Sequence, residues 1–90
     1  MMKQRKVVIT APIRLDMYKA GLLCREAMKF KAELALKSDG INANAKSMLS
    51  ILGSRALAGE SVTVVAHGGE DEEKAVNTIA ALIRNGLREG

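Results

Sequence analysis

The sequence predicts an α+β fold in which three helices cover one face of a four-stranded antiparallel sheet. Four short segments have the character of strands, two by alternation of apolar and polar residues and two by richness in β-branched residues, and three others repeat apolar residues at helical spacing. Their order along the chain is β-α-β-β-α-β-α, and such elements pack as a layer of helices on a layer of strands. The length of 90 residues suits one domain spanning residues 1–90 and is too short for a second hydrophobic core.

The predicted strands are bounded by clear turn signals. Residues 6–10 form a β-branched run, and residues 61–66 form the strongest strand of the chain. Residues 33–37 and 41–45 both alternate, and the Asp39–Gly40 pair between them is typical of a two-residue hairpin turn.

Each predicted helix has an expected start. Asp16 and Ser47 are good N-cap residues, because a side-chain oxygen can accept the free amide hydrogens of a first turn. The short second helix is expected over residues 47–52, with Gly53 ending it. The third helix opens on the acidic residues 70–73, which complement the positive end of the helix dipole.

Two apolar stripes define the expected core faces of the longer helices, and Leu22 falls outside the first stripe. The stripe of the first helix comprises Ala20, Leu23, Cys24, Ala27 and Phe30. That of the third comprises Val76, Ile79, Ala80, Ile83 and Leu87.

Composition excludes several classes of function. The net charge of +4 is spread along the chain, and Tyr18 and Phe30 are the only aromatic residues, so binding to nucleic acid is disfavoured. No apolar run approaches the ~20 residues of a membrane span. A single cysteine forms no internal disulfide, so the expected location is the cytoplasm. His67 has no second ligand at metal-binding spacing, so we expect no bound metal. We also expect no cofactor and no small-molecule substrate.

Two segments resemble the signature sites of a known family. Residues 11–20 read APIRLDMYKA, and residues 44–47 read NAKS. They are similar to the two phosphorylation motifs of the histidine-containing phosphocarrier proteins (HPr) of the sugar phosphotransferase system. The resemblance covers nearly the whole chain and implies the open-faced β-sandwich of that family.

The first motif departs from the family at the residues that carry its chemistry. The family pattern is Asn-x-x-Gly-Leu-His-x-Arg-Pro-Ala, in which the histidine carries phosphate. Here Asp16 stands at the histidine, Tyr18 at the arginine, Lys19 at the proline and Arg14 at the glycine. The resemblance therefore implies an HPr fold without the catalytic imidazole.

Three interpretations of Asp16 are open. It can be a helix cap alone, a fixed negative charge that imitates the phosphorylated form, or an acceptor that forms an acyl phosphate. The third interpretation is the least supported, because phosphoaspartate chemistry recruits a divalent cation held by several carboxylates. No second acid lies within eight residues of Asp16.

The second motif retains its serine. In many members of the family a kinase phosphorylates this serine, and the modified protein binds a transcriptional repressor. A phosphate on Ser47 adds nearly two negative charges at a helix N-terminus, where dipole and free amides favour them. A plain N-cap role without any kinase is the alternative.

The resemblance also implies a docking surface on the first two helices. It comprises Met17, Tyr18, Gly21, Arg25, Met28, Met48, Leu49 and Leu52. Flexible apolar side chains around a small glycine suit contact with several partners. The alternative is that Met48 and Leu49 pack against the first helix and only bury a short loop.

These observations lead to one hypothesis and two rivals. The hypothesis is a non-catalytic adaptor or regulator, switched at Ser47. By resemblance, its partners are enzymes of the phosphotransferase system, a serine kinase or a transcriptional regulator. The rivals are an active phosphocarrier that uses Asp16 and a basic nucleic-acid-binding module.

Overall fold

The structure, a computed structural model, describes residues 2–88 and has the predicted order of elements. The strands are β1 (Lys3–Val8), β2 (Glu33–Ser38), β3 (Ile41–Asn44) and β4 (Ser61–His67). The helices are α1 (Met17–Ala27), α2 (Met48–Ser54) and α3 (Glu72–Arg84).

The four strands form one antiparallel sheet in the order β1-β4-β2-β3. Side chains alternate between the two faces of a strand, and in β4 the apolar Val62, Val64 and Ala66 are buried beneath the helices. Their register partners on β2 include Leu36 and Leu34, which are buried on the same face. The opposite face carries no helices, so the predicted open-faced sandwich is confirmed.

Strand β1 begins and ends earlier in the chain than the sequence indicated. It begins at Lys3, which lies opposite Ala66 of β4, and ends at Val8, which lies opposite Ser61. The predicted strand over residues 6–10 was therefore too late. The basic residues before Val7 concealed it, since charged side chains are tolerated and even useful on an edge strand.

The hairpin between β2 and β3 forms as predicted. Asp39 and Gly40 both have positive φ, at 45° and 81°, as the commonest two-residue hairpin turn requires. Strand β3 lies at the edge of the sheet and ends at Asn44. The Asn44 N–H, which points away from β2, donates to the Ser50 hydroxyl of α2 at 2.8 Å.

Helix α1 buries a wider arc than its predicted stripe. Ala20, Leu23 and Ala27 are fully buried, whereas Cys24 and Phe30 are only half-buried. Leu22, expected outside the stripe, is 5% exposed. The prediction for Leu22 was wrong because α1 packs against both α2 and α3, which covers more than one stripe of the helix.

Helix α2 ends later than predicted. Gly53 lies within the helix, and the C-cap is Arg55, whose φ of 60° is left-handed. A left-handed residue commonly ends a helix, and glycine usually occupies it because other side chains are strained there. The chain thus places an arginine where a glycine would be less strained.

The core stripe of α3 is confirmed for Val76, Ile79, Ala80 and Ile83, which are buried. Leu87 is buried too, but it lies beyond the end of the helix at Arg84 and has a left-handed φ of 57°. The acidic residues at its start do more than complement the helix dipole. The Asp71 carboxylate accepts the N–H groups of Lys31 and Ala32 at 2.8 and 3.0 Å, and so attaches the start of α3 to the loop that enters β2. We call this arrangement the Asp71 clasp.

The clasp requires a glycine beside it. Gly69 has a φ of 98°, and a Cβ there would lie 3.0 Å from the Ala32 nitrogen and 3.1 Å from Asp71 Oδ1. Next to the clasp, the buried Glu72 carboxylate accepts the Gly68 N–H. Burial raises the pKa of Glu72, but the Gly68 hydrogen bond and the nearby His67 charge contribute to a net lowering.

The pKa of Asp71 is also lowered. The main cause is the Lys31 N–H bond; desolvation opposes it, and the Ala32 N–H and the charge of Lys46 add to it. A carboxyl whose pKa is lower when folded stabilises the protein above its ordinary pKa of 3.8. That stabilisation is lost as the pH falls through the folded pKa.

We expect Asp71→Asn to lower the free energy of unfolding at neutral pH. We also expect the free energy of unfolding of this variant to fall less steeply as the pH is lowered. An amide presents only one acceptor oxygen to two backbone donors. Urea unfolding from pH 7 down to pH 2.5 measures both effects. Asp39→Asn is the matched control, because the Asp39 carboxylate makes no hydrogen bond within residues 2–88. An unchanged acid slope in Asp71→Asn would contradict the clasp.

Candidate functional site

Asp16 caps helix α1. Its backbone is extended, with φ −132° and ψ −178°, and its Oδ1 accepts the Lys19 N–H at 2.9 Å. The predicted N-cap is confirmed. This side chain is exposed, but one of its two oxygens is already used in holding the first turn of the helix.

The chain's single histidine lies elsewhere. His67 is exposed at the end of β4 and lies opposite Glu33 of β2. Strand β1 ends at Val8, which lies opposite Ser61, at the other end of β4 from His67. From there the chain continues toward Asp16. The seven residues of β4 span about 20 Å.

No metal site accompanies Asp16. Within residues 2–88, no three side chains of His, Cys, Asp or Glu come together in a way that could hold a metal ion. A metal-assisted acyl-phosphate reaction at Asp16 therefore has no cluster of ligands in the described part of the chain.

Ser47 caps helix α2 as predicted. Its Oγ accepts the Ser50 N–H at 3.2 Å, and the side chain is half-buried. The neighbouring Lys46 points its Nζ at the Phe30 carbonyl, 2.7 Å away. The Lys46 ammonium, next to Ser47 in the sequence, thus connects the loop before α2 to the loop after α1.

The predicted docking surface divides into two groups. Met17, Tyr18, Met28 and Leu49 are exposed by 72%, 58%, 63% and 86%. The remaining apolar members, Met48 and Leu52 with Gly21 between the helices, are half-buried.

Met48 fills the space beside Gly21. Its Cε lies 4.0 Å from where a Cβ on Gly21 would be, so the small residue lets α2 approach α1. Met48 and Leu52 both pack against the core. The alternative of packing against the first helix therefore holds for Met48, whereas Leu49 is exposed. Arg25 is exposed, as expected for a charged rim.

Sequence analysis missed the residues that hold this surface in place. Lys46 and Ser50 join α2 to its surroundings, and the Cys24 thiol lies 3.4 Å from the Lys46 carbonyl oxygen. Lys46 and Phe30 are 16 residues apart, and no local pattern links residues at that separation. Among these contacts, only the one between Asn44 and Ser50 joins residues close enough in the sequence to be inferred from it.

Comparison with known proteins identifies the family. The family model described as "PTS HPr component phosphorylation site" matches residues 3–85. The HPr-like protein Crh of Bacillus subtilis is 34% identical over 83 residues, covering 92% of this chain and 96% of Crh. The phosphocarrier protein HPr of Mycoplasma pneumoniae is 35% identical over 83 residues, with 91% and 93% covered.

Solved structures agree with the sequence comparisons. An HPr crystal structure from Thermoanaerobacter tengcongensis matches with a TM-score of 0.81 at 28% identity, covering 98% of each chain. The crystal structure of Bacillus subtilis Crh matches with a TM-score of 0.70 at 31% identity, covering 97% and 99%. The fold and the sequence define a phosphocarrier-type domain. The chain belongs to the HPr family of the sugar phosphotransferase system.

No helix within residues 2–88 combines the length and the apolar character needed to cross a membrane.

We expect Asp16→Ala to lower the free energy of unfolding by about 1 kcal/mol, because it removes the N-cap acceptor for Lys19. Asp16→Asn should be nearly neutral, since asparagine caps about as well as aspartate. Urea denaturation of both variants at pH 7 measures the difference. Equal stability of Asp16→Ala and the unmodified protein would show that the cap contributes nothing.

Proposed function

We propose that this protein is a cytoplasmic regulator or adaptor of the HPr family that does not relay phosphate. The observation that carries the proposal is Asp16, a carboxylate used as a helix cap where the family motif has its histidine. A carboxylate lacks the imidazole nitrogen that forms a phosphoramidate. Tyr18, at the family's arginine position, supplies no guanidinium to stabilise a phosphoryl dianion.

The proposed partner surface consists of four exposed residues: Met17 and Tyr18 of α1, Met28 at the C-cap of α1, and Leu49 of α2. We call it the docking patch. Exposed methionines adapt to differently shaped partners, and an exposed leucine and tyrosine add apolar contact area. The half-buried Met48 and Leu52 support the patch from beneath.

Ser47 is the proposed switch of this surface. A phosphate on its Oγ would replace the hydroxyl cap with a dianion at the start of α2, beside Leu49 of the docking patch. Charged acceptors bind backbone N–H groups about twice as strongly as neutral ones. A related protein of Bacillus subtilis is named catabolite repression HPr, which supports a regulatory role of this kind.

Incubation with phosphoenolpyruvate and the first enzyme of the phosphotransferase system should leave this protein unlabelled, because no nucleophilic imidazole is available at residue 16. Labelled phosphate counted on the isolated protein is the measurement, and an authentic HPr is the positive control. An Asp16→His, Tyr18→Arg double variant should gain some labelling.

Two results would contradict the absence of phosphate relay. Stoichiometric labelling of the unmodified protein would do so directly. If hydroxylamine then released the phosphate and Asp16→Asn abolished the labelling, an acyl phosphate on Asp16 would be established instead.

Protein phosphorylated at Ser47 by the cognate serine kinase should bind the cognate transcriptional repressor through the docking patch. We expect Leu49→Asp to weaken this binding at least tenfold, because it places an unpaired carboxylate in an apolar contact. Titration calorimetry measures the affinity, and mass spectrometry locates the phosphate.

Val8→Asp is the matched control, since Val8 is an exposed apolar residue on β1, at 62% exposure. It should bind like the unmodified protein. Equal affinity of Leu49→Asp and Val8→Asp would contradict the docking patch. Failure of the kinase to modify Ser47 would contradict the switch and leave the patch to be tested with the unphosphorylated protein.

A further inference from the structure

The uncovered face of the sheet carries a row of hydrogen-bonding side chains across all four strands. Lys6 of β1 lies opposite Thr63 of β4, which lies opposite Lys37 of β2, which lies opposite Asn42 of β3. Residues directly opposite in antiparallel strands share a face. The neighbours of Thr63 along β4, Val62 and Val64, are buried toward the helices, so the row faces away from them.

None of these four side chains has a partner within residues 2–88. No hydrogen bond or ion pair forms at the ammonium groups of Lys6 and Lys37, at the Thr63 hydroxyl or at the Asn42 amide. By contrast, Lys29 is paired with Glu26 at 2.7 Å. The row therefore presents two free cations with a free hydroxyl between them.

The row borders two adjoining hollows on the sheet. One hollow, of about 530 Å³, contains the side chains of Lys6, Lys37, Thr63 and Asn42. A second, of about 540 Å³, shares Lys37 and Asn42 with the first and extends over Asn44. The shared residues make the two hollows adjacent, and we call them together the trough: Lys6 and Lys37 line its basic end, and Asn42 and Asn44 line the other, where Lys46 and His67 also lie.

The basic end offers two cations and a hydroxyl to a phosphate group. Lys6 and Lys37 lie two strands apart, roughly 9–10 Å between Cα atoms, so both ammonium groups can reach one anion above Thr63. Lysines bind phosphate as compact charges, and charge-assisted hydrogen bonds are stronger than neutral ones. Asp39, in the turn between β2 and β3, lines the same hollow as the two lysines, and Glu33 lines the second hollow.

The other end suits hydroxyl groups. Asn42 and Asn44 point to the same face, two residues apart on β3, and each amide offers both donors and an acceptor. Half-buried Ala35 and buried Val65 form the floor beside them. Within residues 2–88, neither hollow is lined by Phe, Tyr or Trp, and the imidazole of His67 borders only the second hollow.

We propose that the open face of the sheet binds a phosphate monoester of a small polyhydroxy compound as a ligand. The phosphate lies between Lys6 and Lys37 above Thr63, and the hydroxylated body lies along Asn42 and Asn44. This site is on the opposite face from the helices, and its occupation does not depend on the proposed roles of Asp16 and Ser47.

Amide chemical shifts of the full-length ¹⁵N-labelled chain test the site. The probes are glucose 6-phosphate, inorganic sulfate and glucose, at one pH and one ionic strength. Glucose 6-phosphate should give saturable shifts at Lys6, Lys37, Thr63 and Asn42. Sulfate should bind more weakly, and glucose should give no saturable shifts.

Variants separate this site from general charge attraction. Lys6→Gln with Lys37→Gln should weaken glucose 6-phosphate binding at least tenfold and leave the fold intact, because both side chains are exposed. Lys29→Gln, which also removes a surface cation, should bind like the unmodified protein. The proposal is overturned if the double variant binds unchanged, if sulfate binds as tightly as glucose 6-phosphate, or if the largest shifts fall near Asp16 or Ser47.

Discussion

Coverage of one face of the sheet is the constraint on which the rest of the structure depends. The central strand β4 turns Val62, Val64 and Ala66 toward the helices, and each large apolar side chain buried there contributes about 1.5–3 kcal/mol. Three helices are enough to cover four strands on one side. The other side carries polar side chains together with Ala35 and Val65. Met17 and Tyr18 of α1 and Leu49 of α2 remain exposed.

The loops around the helices are held by a few long-range polar contacts. Asp71 holds the backbone that enters β2, and Lys46 holds the Phe30 carbonyl in the same loop. The exit of α1 is thereby fixed from both α3 and the start of α2. Because Lys46 precedes Ser47, the geometry of the second family motif is built into the same set of contacts.

Much of the fold could be predicted from local patterns. The Asp39–Gly40 turn, the alternation in β4 and the caps at Asp16 and Ser47 each depend on a few neighbouring residues. The errors came where distant parts of the chain decide the outcome. Leu22 is buried because α1 meets two other helices, and β1 starts early because β4 offers it a partner up to Ala66.

The exposure of the predicted docking residues could not be inferred from the sequence. Helical spacing could not tell the 86% exposed Leu49 from the half-buried Met48 next to it, since that difference depends on how closely α2 approaches Gly21. The Asp71 clasp joins residues about 40 positions apart. Such a contact leaves no periodic trace in a sequence.

The hydrogen bond from Asn44 to Ser50 has a consequence for self-association. Strand β3 is an edge, and an unpaired N–H on an edge strand is a template on which another chain can add a strand. Ser50 occupies that donor as long as α2 is folded. Local opening of this seven-residue helix would release the Asn44 N–H, so a folded α2 keeps this one donor of the β3 edge from pairing with another chain.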